Sequence, residues 1–251
     1  LVGDTSGTEG SLARIVAVQP RRNSLSRTID DAGAFEKTIA ANIDQMIIVA
    51  ASANPEPRYG FIDRCLAVAY DQGIVPIVIM TKSDLNNPHE FLKAYDALDV
   101  KSFATQRGAD LTEIKKALQD KSSVLIGHSG VGKSTLVNAL LGEVQRATGD
   151  VNDATGRGRH TSSSAIAFEL PSGGTIIDTP GVRSFGLEHI DKSRVVSSFE
   201  ELGRAIARCP KNCSHDEEMC ALNDYVLEHP ERTLRVESLR RLLASSSQPL
   251  I

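Results

Sequence analysis

Several features that would place the sequence in a particular class of protein are missing. Apolar runs such as Met46–Ala51 and Ile74–Met80 are too short to span a bilayer. No positively charged leader opens the chain, so we expect a cytoplasmic protein without membrane contact. The net charge of −4 argues against a generally basic nucleic-acid binder, so any RNA contact has to come from local patches. The chain begins at Leu1 rather than Met, and we expect a further segment to precede it.

Cysteine is scarce, and its distribution predicts a metal site. Three of the four cysteines form the pattern C-x3-C-x-H-x4-C with His215, whereas Cys65 lies alone in an apolar stretch. In a cytosolic protein such clustering favours a metal over disulfides. Three thiolates and one imidazole suit tetrahedral Zn²⁺ with no open position, hence one structural zinc ion. The alternative is a group of small buried residues beside a surface histidine. The predicted ligands are Cys209, Cys213, His215 and Cys220.

The middle of the chain alternates short β-branched runs with amphipathic segments. This alternation, from Asp44 to Leu187, is typical of a mostly parallel sheet covered by helices on both faces. Residues 1–43 contain one strand, Ala13–Val18, and are typical of a small β domain; a helical pattern covers 222–246 after the cysteines. The predicted strands are 44–51, 74–80, 99–103, 122–127, 164–170 and 174–178. The predicted helices are 60–72, 88–97, 110–119, 133–142 and 193–206.

The strongest motif is a phosphate-binding loop. The stretch GHSGVGKST follows the apolar strand Ser123–Ile126 and opens a helix, which is the context that this pattern requires. Its backbone N–H groups and the helix N-terminus form a cradle for anions. We expect Lys133 to pair with the β- and γ-phosphates and Ser134 to bind Mg²⁺. The predicted phosphate-binding residues are Gly127, His128, Ser129, Gly130, Val131, Gly132, Lys133, Ser134 and Thr135.

A second motif, Asp178-Thr179-Pro180-Gly181, ends another apolar run. It places a carboxylate at the carboxyl end of a strand beside the phosphate-binding loop, where Asp178 can hold the metal directly or through water. We expect the Gly181 N–H to reach the γ-phosphate. The alternative is an ordinary turn residue, which the neighbouring motif disfavours.

A third motif, Thr81-Lys82-Ser83-Asp84, follows the strand that ends at Met80 and indicates guanine recognition. Guanine offers two adjacent donors, which the Asp84 carboxylate can accept, and adenine lacks that pair. The Lys82 stem is expected to lie along the base. The alternatives are a helix N-terminus that begins with Ser-Asp, or an ATPase in which this tetrapeptide is fortuitous. A looser match to a second base-contacting loop is formed by Ser102, Phe103 and Ala104.

The guanine motif precedes the phosphate-binding loop, although GTPases ordinarily carry them in the reverse order. A parallel sheet tolerates this rearrangement when the break falls between units and the old termini are adjacent. In this order the chain leaves Asp178–Gly181 directly for the C-terminal helices, so the γ-phosphate sensor is tethered to the C-terminal region.

With these motifs the chain resembles the circularly permuted GTPases of the bacterial small-ribosomal-subunit biogenesis family, the ribosome small-subunit-dependent GTPase A type. The likeness extends over almost the whole chain and includes the segments VGD, AANIDQ, TKSDL, GHSGVGKSTLVNAL, GRHT and DTPGVRSFGL with the cysteine cluster. It implies a partial OB-fold barrel at 1–40, a permuted GTPase domain at 41–190 and a zinc-binding domain at 191–251. The cysteine pattern has one residue fewer than the family pattern in each of its two longer gaps.

The resemblance also implies roles within the hydrolysis site. Thr161 is the switch threonine that coordinates Mg²⁺, with Thr155 and Ser162 as competitors by spacing. Val182 stands where Ras-like enzymes use a water-orienting glutamine, so we expect slow intrinsic hydrolysis that a partner accelerates. The catalytic group stays unknown; His128 and His160 are weak candidates for a polar group, and Arg157 or Arg159 for a charge.

These features favour a monomeric GTPase that acts as an assembly checkpoint on the small ribosomal subunit and its rRNA. Bound GTP and Mg²⁺ would order residues 144–163 through Thr161, and hydrolysis to GDP would release them. The alternative is a nucleotide-gated RNA-binding module with incidental turnover. Its affinity would come from the arginines of 14–27, from the zinc domain and from a basic helix around Arg232–Arg241.

Overall fold

The computed structural model describes residues 2–3, 14–28, 36–142, 165–179 and 190–245. Ahead of the central sheet, two antiparallel strand pairs are present: β1 (Val2–Gly3) with β2 (Arg14–Ile15), and β3 (Ser24–Thr28) with β4 (Glu36–Ala41). The predicted strand at 13–18 is therefore wrong in extent, since among its described residues 14–18 only Arg14–Ile15 pairs. Val16 and Val18, beyond this pair, are exposed.

A six-stranded sheet forms the centre of the molecule, in the order β7-β6-β5-β8-β10-β9. Its first five strands are parallel and only β9 runs antiparallel, to β10. Nearly continuous apolar sequence fits β5 and β6, because a parallel sheet is buried on both faces. The strands are β5 (Gln45–Ala51), β6 (Val75–Thr81), β7 (Lys101–Ala104), β8 (Ser122–Ile126), β9 (Ile166–Glu169) and β10 (Thr175–Asp178).

Helices cover both faces of this sheet, as the sequence predicts. Alternate strand residues such as Ile47 and Ile48 point to opposite faces and enter two separate hydrophobic cores. The face that carries Ile48 packs against α1 (Tyr59–Asp71) and α2 (His89–Asp96) together with the C-terminal helices. The face that carries Ile47 packs against α3 (Thr112–Leu118) and α4 (Lys133–Leu141).

The C-terminal region is a set of short helices rather than two long ones. The predicted helix 193–206 is broken at Ser198–Phe199, where the buried Phe199 leaves helical geometry. The helical pattern 222–246 divides at Pro230, because a proline disfavours helical backbone at the preceding residue; His229 has φ of −133° and ψ of 71°. The elements are α5 (Lys192–Ser197), α6 (Gly203–Ile206), α7 (Ala221–Glu228) and α8 (Thr233–Ser245), with single turns at Glu200–Leu202 and Pro230–Arg232.

The hydrophobic core does not stop at residue 190. Val195, Phe199 and Leu239 lie in the same buried cluster as Ile62 and Leu66 of α1. The domain boundaries at 40 and 190 stay predictions, but the C-terminal helices are packed onto the sheet domain through shared apolar surface. Among the helices of the described part, none is long and apolar enough to cross a bilayer.

Candidate functional site: a phosphate loop, a base motif and a cysteine cluster

The phosphate-binding loop connects β8 to α4 at the carboxyl edge of the sheet. Gly127 passes so close to the Val49 carbonyl oxygen that any side chain there would collide with the backbone. Gly132 precedes the helix with φ of 90°, a conformation that costs glycine little. The side chains of Ser134 and Thr135 are exposed in the first turn of α4. The loop glycines are therefore required by close approach and by backbone geometry.

Lys133 and Asp178 lie together beneath this loop. The Lys133 Nζ donates to the carbonyl oxygens of Gly127 at 2.6 Å and His128 at 2.9 Å. Burial lowers the pKa of Lys133, with Asp178 opposing the shift, and burial raises the pKa of Asp178, with Lys133 opposing it. Within the described residues, Asp178 Oδ1 is buried without a hydrogen-bond partner. A buried carboxylate oxygen beside the Ser134 helix start suits a ligand for a hard divalent cation.

The other predicted phosphate and switch residues fall outside the described part of the chain. These are Gly181, His160 and Thr161, and also the weaker candidates Thr155, Arg157, Arg159, Ser162 and Val182. Thr179, just before them, is buried, and its hydroxyl donates to the Leu125 carbonyl oxygen at 2.7 Å. This bond fixes the end of β10 against β8, next to the phosphate-binding loop.

The guanine motif is joined directly to the phosphate-binding loop. Thr81 ends β6, and its hydroxyl donates to the Val131 carbonyl oxygen at 2.5 Å. Lys82 has φ of 55°, and its ammonium group donates to the Asn54 carbonyl oxygen. Asp84 is exposed and faces solvent. The two motifs, separated along the chain, thus meet at one edge because parallel strands bring their carboxyl ends together.

The second base-contacting loop lies beside the first. Ser102, Phe103 and Ala104 form β7, which pairs in parallel with β6. The next residue, Thr105, donates its N–H to Met80 at 2.8 Å and accepts from the Ser83 N–H at 3.1 Å. Its buried hydroxyl has no hydrogen-bond partner among the described residues. These backbone bonds hold the two loops at a fixed distance.

A cavity of about 260 Å³ lies between the phosphate-binding loop and the start of α1. Its walls include Pro55, Arg58, Phe61, His128 and Ser129. The His128 ring lies 4.1 Å from the Phe61 ring, centroid to centroid. Burial lowers the pKa of His128, helped by the positive charges of Arg58, Lys133 and Arg64, which favours the neutral imidazole. No motif or spacing predicts the Phe61 contact, because only folding places α1 beside the loop.

The cysteine cluster brings its four predicted ligands together. Their ligand atoms all lie within 4.8 Å of one another. The Cys209 Sγ lies 3.8 Å from the Cys220 Sγ and 3.6 Å from the His215 Nδ1. Tetrahedral zinc, with Zn–S of about 2.3 Å and Zn–N of about 2.0 Å, requires S···S and S···N edges of about 3.8 and 3.5 Å. The shorter spacings between the cysteines therefore still allow a closed four-ligand site.

Hydrogen bonds outside the ligand set hold this loop in place. Arg240 donates to the His215 carbonyl oxygen at 2.7 Å and to Asn223 at 2.6 Å. The Ser214 N–H donates to the Glu217 carboxylate at 2.9 Å. Burial lowers the pKa of His215, which favours the neutral imidazole that binds metals. The ligand loop is thus anchored to α8 through Arg240.

In the predicted basic helix around Arg232–Arg241, three arginines make contacts within the protein, and its role as an RNA-binding face stays a prediction. Arg235 pairs with Glu201 and lies 4.5 Å from the Phe199 ring centroid, with only 12% of its side chain exposed. Arg240 binds the cysteine loop, and Arg241 pairs with Asp63 of α1 at 2.9 Å. Arg240 and Arg241 keep 24% and 34% of their side chains exposed, so these intramolecular contacts reduce the basic surface of α8 without removing it.

Two of the arginines of 14–27 also make contacts within the protein. Arg21 donates to Thr38 at 3.0 Å, and Arg22 pairs with Asp44 at 2.9 Å. Both side chains keep an exposed face. The side chains of Arg14 and Arg27 lie outside the described set, so this basic patch stays a prediction.

Comparison with known proteins gives a consistent result. The family RsgA GTPase matches residues 18–188. The chain is 40% identical over 243 residues to the small ribosomal subunit biogenesis GTPase RsgA of Hahella chejuensis, covering 92% of this chain and 68% of that protein. It is similar in structure to YjeQ from Thermotoga maritima, with a TM-score of 0.65, 26% identity and coverage of 92% and 78%. YloQ, described as a circularly permuted GTPase, shares the fold with a TM-score of 0.65, 23% identity and coverage of 94% and 76%.

Proposed function

The chain belongs to the RsgA GTPase family, and on that premise we propose that its GTP hydrolysis serves maturation of the small ribosomal subunit. GTPase activity and the permuted fold, both predicted from the motifs, are confirmed. The observation that carries the proposal is the hydrogen bond from Thr81 to Val131, which unites a guanine-reading motif and a phosphate-binding loop in reversed chain order.

The roles at the nucleotide follow from this geometry. Asp84 accepts the two guanine donors, and Lys82, held by the Asn54 carbonyl, supports the base. Lys133, released from its carbonyl partners, neutralises the β- and γ-phosphates. Ser134, Asp178 and Thr161 are the residues that would hold Mg²⁺. The cation, when bound with GTP, supplies charge neutralisation at the transferred phosphoryl group.

Subunit-dependent hydrolysis is part of the proposal. The residue after the Asp-x-x-Gly motif is Val182, whose apolar side chain cannot orient the attacking water. Intrinsic turnover is therefore slow, and the small subunit completes the site. We place this action in the cytoplasm and assign it to a monomer.

The cysteine cluster takes a structural role in this scheme. Cys209, Cys213, His215 and Cys220 would hold one Zn²⁺ with no position left for substrate. The 40 N-terminal residues, as part of an OB-fold, and the surface around the cysteine loop are the subunit-binding regions in this proposal. The intramolecular contacts of the α8 arginines weaken one of the three sources of RNA affinity in the alternative, an RNA-binding module with incidental turnover.

The decisive experiment measures GTP turnover with and without purified small subunits. We expect at least a tenfold rise in kcat with small subunits and none with large subunits. An unchanged rate with small subunits contradicts the checkpoint function and favours the RNA-binding module. Competition between ATP and GTP for binding to the protein is measured alongside. Equal affinity for the two nucleotides would contradict guanine recognition.

A further inference from the structure

Helix α1 touches the phosphate-binding loop at its N-terminal end. Phe61, only 5% exposed, presents its ring to the His128 ring at 4.1 Å. His128 is the second residue of the loop, and Lys133 donates to its carbonyl oxygen. A shift of α1 would therefore displace the backbone of the phosphate-binding loop, because closely packed neighbours transmit small displacements.

Two residues further along, the same helix is held by the C-terminal helix α8. The Asp63 carboxylate, with 2% of its side chain exposed, forms an ion pair with Arg241 at 2.9 Å. Arg241 also donates to the Ala94 carbonyl oxygen at 3.1 Å and lies 5.3 Å from the Tyr95 ring centroid. Asp63 is buried, whereas 34% of the Arg241 side chain is exposed. Loss of the Arg241 charge would leave the buried Asp63 carboxylate without its partner, so this contact favours one placement of α1 against α8.

The end of α1 is attached to the C-terminal region as well. Asp71 accepts a hydrogen bond from the Asp191 N–H at 3.2 Å, and Arg194 lies 3.8 Å away. On α8, the neighbour of Arg241 is Arg240, which binds the His215 carbonyl oxygen of the cysteine loop. Continuous contacts thus run from the cysteine loop through α8 and α1 to the phosphate-binding loop.

We propose that Phe61 and Arg241 are positioning residues for nucleotide binding: Arg241 fixes α1 through Asp63, and Phe61 fixes the phosphate-binding loop through His128. Neither residue belongs to the motifs that are proposed to contact the nucleotide. The docked C-terminal helices consequently raise the affinity of the loop for GDP and GTP. By thermodynamic reciprocity, bound nucleotide strengthens the docking of α8 on α1 by the same factor.

This route differs from the tether expected from the motif order. That tether runs along the chain from Asp178 to α5, whereas the contacts through α1 are made across space. The inference requires nucleotide binding, which the family establishes, and does not require the ribosomal role. If small subunits do not stimulate hydrolysis, the inference about Phe61 and Arg241 is therefore unaffected.

The test uses three single variants of the full chain with bound metal. Arg241→Gln and Phe61→Leu are each expected to weaken GDP binding about fivefold or more, measured by displacement of a fluorescent GDP analogue. Arg241→Lys, which keeps a positive charge beside Asp63, is expected to recover most of the affinity. The double variant that combines Arg241→Gln with Phe61→Leu should have about the same GDP affinity as whichever of the two single variants binds GDP less tightly. The reason is that the two residues act in series.

Arg235→Gln is the matched control. Arg235 lies on the same helix, is more buried than Arg241 and also loses an ion pair. Its partners are Glu201, Asp99, the Ala97 carbonyl oxygen and the Phe199 ring, none of which belongs to α1. We expect it to lower the melting temperature and leave GDP affinity within twofold of the unmodified chain. An equal loss of affinity in Arg235→Gln would show a general stability effect and would overturn the proposal.

A second measurement covers the outcome in which Arg241→Gln does not fold. In the unmodified protein, saturating GDP is expected to slow amide hydrogen exchange in α8 and in the cysteine loop. Unchanged exchange in α8, with slowed exchange in the phosphate-binding loop as proof of binding, would overturn the proposal. Phe61→Leu keeps an apolar side chain and gives a folded variant for the affinity measurement.

Discussion

The hydroxyl of Thr81 donates a hydrogen bond to the carbonyl oxygen of Val131, 2.5 Å away and fifty residues later in the chain. The same hydroxyl lies 3.2 Å from the Ala50 carbonyl oxygen. One side chain thus connects the base-reading strand, the neighbouring strand and the phosphate-binding loop. The permuted order of the motifs does not disturb this junction, because the sheet rather than the chain order brings the three backbones together.

Removal of the Thr81 hydroxyl should weaken nucleotide binding. Thr81→Val keeps the shape but leaves the buried Val131 carbonyl without its donor, at a cost of about 1–3 kcal/mol. We expect GDP affinity to fall roughly tenfold, in line with that range. Thr81→Ser, which keeps the hydroxyl, is the control and should bind GDP almost normally. Equal affinity for the valine and serine variants would show that this bond does not organise the site.

Substitution of Asp84 should change base selectivity rather than phosphate binding. An amide cannot accept both guanine donors, so Asp84→Asn is expected to lose about 1.5–3 kcal/mol of GTP affinity, the contribution typical of a hydrogen bond to a charged group. Competition binding with GTP, ATP and inorganic triphosphate separates the effects. Triphosphate binding by Asp84→Asn should stay unchanged. Glu113→Gln is the control: its carboxylate pairs with Lys116 on the exposed side of α3, so binding of all three ligands should stay unchanged. A preference for GTP over ATP that survives in Asp84→Asn would remove the assigned role.

The cysteine cluster should determine the metal content. We expect one zinc ion per chain, and near zero for Cys209→Ser, by elemental analysis of purified protein. A chelator should also melt the loop around His215, because binding free energy at such a site is folding free energy. Cys65→Ala is the control: Cys65 is buried inside α1, away from the cluster, so metal content should not change. Full zinc occupancy in Cys209→Ser would contradict the proposed ligand set.

Acid should weaken the contact of Asp44 with its neighbours. The Ser122 N–H, followed by Arg22, holds the pKa of Asp44 below its ordinary value of 3.8. Because the folded carboxyl binds protons less readily than the unfolded one, its contribution is complete above about pH 5 and is lost as pH falls through 3.8 toward the folded value.

Solvent screening limits this effect. The Asp44 side chain is 30% exposed, so we expect a contribution of about 0.5 kcal/mol. Asp44→Asn should be less stable than the unmodified chain at pH 7, and the difference should shrink below pH 4, as measured by urea unfolding at several pH values. A difference that stays constant with pH would show that ionisation of Asp44 does not contribute.

The strands and helices of the sheet domain were predicted to within two residues, and the reasons are local. Uninterrupted β-branched runs define β5 and β6, and glycine-rich sequence between strand and helix defines the phosphate-binding loop. The C-terminal helices were predicted less well. Helical periodicity continues through Phe199, but burial of that ring in the shared core ends the helix. Core packing of this kind is decided by distant residues.

The sequence by itself determined the chemistry: which residues can read guanine, cradle phosphate and bind a soft metal. Those capacities belong to side-chain type and short spacing, and they do not depend on the rest of the chain. Only the tertiary structure decided that Arg235, Arg240 and Arg241 contact Glu201, the His215 carbonyl oxygen and Asp63, and that α1 lies between Arg241 and His128. The physical reason is that the direction of a charged helix face depends on which buried carboxylates and carbonyls surround it. Those partners, such as Asp63 and the His215 carbonyl oxygen, come from remote parts of the chain.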